Sequence, residues 1–497
     1  MKIRFFFHLL LFTCAAIVCG AQARDTALPT TPVGKYGDEF LRVLNGGDRP
    51  ALEKFVKENF ADAGDAAERV QFLSRLYEQS RGLQPMVVSP DSNERFLVVD
   101  AKSKAGAHWA RLFISLTRVQ PYKIVDIGAF GIPDPEAARS APWPENITDE
   151  RAAIKEIRKR AAAESMADRF SGVVLVAKGD TTLFAHAYGY ADKGHSVPNR
   201  LDTKFNLASM NKMFTAVAIG QLIEAGKLHL HDRLIDVLPE YPNKDAGAKI
   251  KVIDLLTHRS GLGDFFDNPA FRPHRERFVH PRDYLPLFAS DPLRFEPGTR
   301  FSYSNAGFVV LGAIVEAVSG EDYFDYIRAH IYRPAGMTET DSYELTQVVS
   351  NLAIGYARFE DDPLGIEPRR SNIAFLPWRG SPAGGGYSTA GDLMKFISAL
   401  RRNKLLSAPM TKQFLTPQTP MTGSYRPGKY GLGFTVEEFG DKTVIGHGGG
   451  GEHSGIACDL KAFSDGTYTV IVLGNYDPPA ALDLSYEITK LLARLKK

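Results

Sequence analysis

The chain is poor in cysteine and tryptophan, with three of each among 497 residues. Two of the cysteines, Cys14 and Cys19, lie at the amino-terminal end. The third, Cys458, has no His or Asn context of a thiol nucleophile, so a buried structural thiol is expected there. Net charge is also scarce: 60 basic and 58 acidic side chains leave a formal +2. Without a basic excess, nothing points to a nucleic-acid or anionic-membrane partner. Metal-ligand spacing is lacking too. His229 and His231 stand together, but no carboxylate or further histidine lies at ligand distance along the chain. Past the amino terminus no apolar run is long enough to cross a bilayer.

What is present begins with an address. Met1-Lys2-Ile3-Arg4 is a basic start, Phe5 to Val18 is apolar, and Ala21-Gln22-Ala23 is a small-x-small cleavage site. This pattern predicts a secretory signal peptide cut before Arg24, and hence a periplasmic or secreted product. Val18 before Cys19 makes a lipoprotein site unexpected. Cleavage would remove Lys2, Arg4 and no acid, bringing the formal charge to zero. It would also remove Cys14 and Cys19, so the mature chain could form no internal disulfide and must rely on core packing.

The length predicts more than one domain. Residues from about 35 to 82 read as two amphipathic helices, followed by strands at Arg95–Ala101, His108–Leu116 and Tyr122–Ala129. Helices followed by a meander indicate a small α+β domain over 24–130. Its element order resembles the cone-shaped fold of the nuclear-transport-factor-two or SnoaL type. Domains of that kind serve dimerisation or position a substrate, which makes a homodimer an expected partner state. Residues 131–146, with Pro133, Pro135, Pro142 and Pro144, form a semi-rigid linker. The remainder, 147–497, starts with a helix capped at Thr148 and a hairpin turning at Gly179-Asp180. Further strands are expected at Gly431–Val436, Lys442–Ile445, Gly455–Asp459 and Thr467–Leu473, and a last helix at Ala480–Leu495. Strands at both ends with helices between predict an α+β fold: one antiparallel sheet flanked by helices, plus a helical lobe and a cleft between them.

Three stretches carry candidate chemistry. Ser209-Met-Asn-Lys212 is the sole Ser-x-x-Lys in the sequence. If a helix opens there, the i, i+3 spacing brings the Lys212 amine beside the Ser209 hydroxyl. A lysine in a dry pocket loses its proton readily and activates a hydroxyl; the plainer reading is a helix cap beside a surface charge. Tyr303-Ser-Asn305 offers a phenol that could become a phenolate near the lysine and act as base and acid, with an amide to hold a carbonyl or the lysine. Its rival, Tyr241-Pro-Asn243, reads as a surface loop. His447-Gly-Gly-Gly450 ends a strand in glycines, which admit a substrate to the strand edge and leave backbone N–H groups open. His447 could donate a hydrogen bond to substrate, and an N–H there could join that of Ser209 in an oxyanion hole. His-Gly-Gly-Gly also occurs in α/β-hydrolases, but no serine here has their Gly-x-Ser-x-Gly context.

In this order, Ser209-x-x-Lys212, Tyr303-x-Asn305 and His447-Gly-Gly449 resemble the three motifs of the serine β-lactamase and penicillin-binding-protein superfamily. The nearest branch is the class C, DD-peptidase and carboxylesterase group. Leu255–Leu262, Phe295–Gly298, Gly385–Thr389 and Tyr430–Phe434 match that family's habits as well, and the likeness covers about residues 165 to 495. It implies Ser209 as the acylated nucleophile, Lys212 and Tyr303 sharing its proton, and Asn305, His447, Gly448 and Gly449 contacting substrate. The oxyanion hole would use the N–H groups of Ser209 and Gly450. No metal or organic cofactor is needed, and the partner is a small-molecule or peptide substrate. His447-Gly448 stands where β-lactam-directed members carry Lys-Thr, and Glu452 is expected near the site. The expected substrate is an ester or amide, with a cell-wall peptide or a β-lactam among the candidates. The alternative is a silent protein that binds cell-wall fragments.

Overall fold

The computed structural model describes residues 27–61, 66–89, 92–117, 119–132, 143–359, 362, 364–421, 428–451 and 453–495. The expected signal peptide, residues 1–23, linker prolines 133, 135 and 142, and Glu452 lie outside the described residues. Among the described residues the chain divides into two compact units, 143–357 with 371–495, and 27–132 with 358–370.

The larger unit is built on an eight-stranded antiparallel sheet. Its strands run Thr419–Pro420, Lys429–Tyr430, Thr435–Phe439, Lys442–Gly451, Ile456–Phe463, Tyr468–Gly474, Gly172–Lys178 and Thr181–Tyr188. The two chain halves meet where Val470 pairs with Val176, as the strand distribution predicts. Alternate side chains leave a strand on opposite faces. Val174, Val176, Val470 and Val472 therefore pack outward with Ile157, Ile488 and Leu491 from helices Glu150–Met166 and Ala480–Ala493. Val173, Leu175, Leu460 and Ile471 face inward, in one core with Phe214, Val217 and Leu311 of the helical lobe. Each such side chain contributes roughly 1.5–3 kcal/mol on burial.

Details depart from the sequence reading. The first helix is capped by Asp149, whose carboxylate accepts from the Ala152 N–H at 2.8 Å. Thr148 precedes that position. Tyr241 is fully buried in the core rather than in a surface loop, and Asn243 caps a short helix. The strand expected to end at Ile445 runs on through the glycines to Gly451, because His447 to Gly451 pair in register with Leu460 to Ile456.

The smaller unit lays helices Pro32–Gly46, Arg49–Asn59 and Ala66–Ser80 against a four-stranded antiparallel meander. Sequence periodicity predicts two helices, but the Gly47 C-cap and the Asp48 N-cap split the first. A strand at Leu83–Val88 was obscured by Pro85, which sits at a bulge where the register shifts. The unit also takes in Arg358–Arg370. Leu364 joins its core, its N–H donates to Gln79 Oε1 at 3.1 Å, and Gln79 Nε2 donates to Asp362 Oδ1 at 3.0 Å. Among the described residues, no helix is long and apolar enough to cross a membrane.

Candidate active site

Ser209 sits in a tight turn, Ala208–Met210, that runs directly into helix Asn211–Glu224. Ala208 has φ +42°, a left-handed conformation that strains a non-glycine residue by about 1–3 kcal/mol. Surrounding bonds hold it there. The Ala208 N–H donates to Asn206 Oδ1 at 2.9 Å, Leu207 N–H to the Gly386 carbonyl at 2.7 Å, and Gly385 N–H to the Ala208 carbonyl at 3.1 Å. The loop can come this close because Gly384 lacks a side chain; a Cβ there would lie 2.8 Å from the Ala208 carbonyl oxygen. The following helix is apolar on nearly all sides and buried, as a central helix must be.

That burial takes Lys212 with it, to 0% exposure. Its Nζ lies 3.0 Å from Ser209 Oγ, 2.8 Å from Asn305 Oδ1 and 2.6 Å from the Ala383 carbonyl. Desolvation lowers its pKa to about 7, against the opposing pull of Asp264. An ammonium would place all three N–H groups on these oxygens. A neutral amine keeps two for the oxygens that carry no proton and turns its lone pair to the Ser209 hydroxyl.

Tyr303 faces Ser209, whose side chain favours the phenolate, and Lys212 Nζ lies 4.8 Å from the Tyr303 ring centroid. Burial pushes its phenol pKa well up, and Asp264 pushes the same way. The resting group is therefore a phenol. At rest the phenol is favoured over the expected phenolate, because withdrawal from water costs the anion. Behind it the buried His258 ring lies 4.1 Å from the Tyr303 ring, centroid to centroid.

The third motif lies along the glycine strand. Pairing with Thr435–Phe439 stops at Gly446, so His447 to Gly451 leave that side to the Ser209 turn. A Cβ on Gly449 would lie 2.1 Å from the Leu207 carbonyl oxygen and 3.1 Å from the Ser209 nitrogen. Gly449→Ala is expected to push strand and turn apart and slow acylation about 100-fold, read as the second-order rate of labelling by a fluorophosphonate. Gly448 is part-exposed and Gly450 exposed, with φ +115° at Gly450. His447 is turned into the protein. Its Nδ1 lies 2.5 Å from the Gly448 carbonyl, and its Nε2 lies 2.8 Å from the Tyr430 hydroxyl. The carbonyl can only accept, so Nδ1 carries the proton and Nε2 accepts from Tyr430. Burial and Lys212 hold its pKa near 3. With both ring nitrogens engaged, the donor role toward substrate expected of His447 has no free N–H behind it.

Ser209, Lys212, Tyr303 and Asn305 thus meet at one point, with Gly449 against the Ser209 nitrogen. Sequence reasoning missed Asp264, Tyr430 and the Ala383 carbonyl. Two of these adjoin or fall in matched stretches, Asp264 just past Leu262 and Tyr430 at the head of Tyr430–Phe434, whereas a backbone carbonyl leaves no residue signal. Cys458 is buried, its thiol pushed up to about 12 by desolvation, and it donates to the Asn206 carbonyl at 3.2 Å. Among the described residues, His229 pairs with Asp232 at 3.4 Å. His280, Glu316 and Asp322 approach one another at metal-ligand distances. There His280 pairs with Asp322 at 3.1 Å, while Glu316 accepts from Tyr323 N–H at 3.3 Å and faces Arg282 at 3.5 Å.

A sequence model of the family described as Beta-lactamase matches residues 157–493. A penicillin-binding protein of Bacillus subtilis (strain 168) is 30% identical over 330 residues, covering 64% of this chain and 70% of its own. A D-aminopeptidase of Brucella anthropi is 29% identical over 319 residues, covering 62% and 57%. Another Bacillus subtilis relative is 31% identical over 269 residues and is matched over 62% of its length. The chain thus spans less than two thirds of these last two relatives. The crystal structure of a penicillin binding protein from Bacillus halodurans is 31% identical, with a TM-score of 0.58, covering 69% of this chain and 100% of that one.

Proposed function

Because the chain belongs to the Beta-lactamase family, and because Lys212 Nζ is buried 3.0 Å from Ser209 Oγ, we propose that it is an exported serine hydrolase that cleaves an ester or amide through an acyl-enzyme on Ser209. The buried Lys212–Ser209 contact is the observation that carries this reading. Neutral Lys212 takes the Ser209 proton as Oγ attacks the acyl carbon. The N–H groups of Ser209 and Gly450 receive the carbonyl oxygen as it becomes an oxyanion. The bond from the acyl carbon to the leaving oxygen or nitrogen breaks, and that atom takes a proton from Tyr303. Tyr303 is reprotonated from the Lys212 ammonium, which restores the resting state. Water then attacks the acyl carbon and gives its proton to Tyr303 as Tyr303 passes its own to Lys212; the bond to Ser209 Oγ breaks, Oγ takes that proton back from Lys212, and the acid leaves. A relative named as a D-aminopeptidase supports amides of D-amino acids as one substrate class to examine.

The test is intact-mass detection of a fluorophosphonate adduct, with the label mapped to the peptide holding Ser209. A label elsewhere, or none together with no hydrolysis of any acyl substrate, would sink the proposal. Nitrocefin, short-chain esters and D-amino-acid amides then sort the acyl group. A second expectation concerns pH. The base must be unprotonated, so kcat/KM should rise about tenfold per pH unit below about 7 and level off above it. A profile flat between about pH 5 and 8 would exclude Lys212 as base.

A further inference from the structure

The geometry points to Asp264 as a positioning residue: its carboxylate fixes which way the Asn305 amide faces and, through that amide, sets Lys212 against Ser209. The inference rests on the proposed role of Lys212 as base. Asp264 touches neither the nucleophile nor the lysine amine by hydrogen bond. It acts one residue further back.

An asparagine amide has two ends of nearly equal size, so its orientation is decided by its partners. At Asn305 the decision comes from Asp264. One carboxylate oxygen, Oδ2, accepts from the Asn305 side-chain Nδ2 at 2.8 Å and from the Asn305 backbone N–H at 3.1 Å. The other, Oδ1, accepts from Phe266 N–H at 3.1 Å. A carboxylate only accepts, so Nδ2 must face it, which leaves Oδ1 to face Lys212 at 2.8 Å. With the amide reversed, an NH2 would meet the lysine nitrogen, and the amine would lose one of its two fixed acceptors. Its lone pair would then no longer be held toward Ser209.

Asp264 is the last link of a longer brace. Ser302 N–H donates to the His258 carbonyl at 2.8 Å, Ser304 N–H to His258 Nδ1 at 3.1 Å, and Ser304 Oγ to the Gly263 carbonyl at 2.8 Å. Residues 258 to 264 therefore hold the Tyr303-Ser-Asn305 motif from behind, bond by bond. The carboxylate does more than hold shape. Described titratable groups that act on or face Lys212 are Asp264, Tyr303, His258 and His447. Burial favours the protonated phenol and neutral imidazoles; it raises the Asp264 carboxyl too, as does Asp267, against the Asn305 and Phe266 N–H groups and the Asn305 amide, which favour its charged form. Among these four, the negative charge on Lys212 thus comes from Asp264, and it opposes the desolvation that lowers the lysine.

The test uses the full chain and reads the rate of acylation by a fluorophosphonate, per titrated active site, across about pH 5 to 9. Asp264→Ala should slow acylation about 10- to 100-fold. The Asp264→Ala/Asn305→Ala double variant should be no slower than the slower single, because one residue acts through the other. Asp264→Asn keeps the shape and removes the charge, so its acid limb should move to lower pH, a readout that a merely structural role leaves in place. It also decides the matter should Asp264→Ala fail to fold. A rate within about twofold of wild type in Asp264→Ala, losses that multiply in the double variant, or an unmoved limb in Asp264→Asn would overturn the inference. If wild type shows no rise toward pH 7, or Ser209→Ala still reacts, the Lys212–Ser209 reading fails and takes this inference with it. A normal wild-type rise with indifferent Asp264 variants removes Asp264 alone.

Discussion

Replacing Ser209 by alanine is expected to abolish covalent labelling by acyl probes and to cut turnover of p-nitrophenyl acetate by about 10⁴-fold or more. The change removes one oxygen from a part-exposed position, so the fold should survive with Tm nearly unchanged. The loss would then be chemical. Lys212 and Tyr303 would still face the acyl carbon, but neither can form the ester that the second half-reaction hydrolyses. Undiminished hydrolysis in Ser209→Ala would show that another group carries the reaction.

Lys212 gives the second large effect, and two replacements separate its possible roles as base and as fixed charge. Lys212→Met keeps most of the volume and removes the amine. It should lower acylation about 10³-fold, within the range of a lost general base, and abolish the pH dependence near 7 in whatever activity remains. Stability should hold or rise, because a group whose charge is poorly solvated in the core has gone. Lys212→Arg keeps a charge that cannot be given up. If Lys212 served as a fixed positive charge, arginine would rescue activity. As a base, it should be lost in both variants, with a lower Tm only in Lys212→Arg, where a permanent charge is buried. Rates and thermal unfolding of the two proteins side by side make the distinction.

Much of this site was legible in the sequence, for a physical reason. An i, i+3 pair on a helix places its own members, so Ser209 and Lys212 needed no tertiary information. The sheet built from both chain ends was legible from its continuous valine and isoleucine runs, which mark strands covered on both faces. The electrostatics were not legible. The Tyr303 phenol and the His447 ring look like ordinary titrating groups until their burial is known; burial favours the protonated phenol at rest and turns both nitrogens of the His447 ring to protein partners. The glycine strand was cut short at Ile445 because glycine weakens a strand by local preference; pairing with Leu460 to Ile456 overrides that preference. Asp264 could not be singled out from its neighbours, since only the fold brings it under Asn305.

The smaller unit has a consequence for how the protein is made. Its helices and meander come off the ribosome early, yet Leu364, 4% exposed within that unit's core, comes off only after the Ser209 helix and the Tyr303 motif. An emerging chain therefore holds an unfinished early unit while much of the catalytic unit is already being synthesised. The segment that completes the first unit's core has flanks that belong to the second. A gene fragment ending before residue 358 would lack that segment, so the first unit cannot be encoded by a contiguous stretch that leaves out residues 143–357.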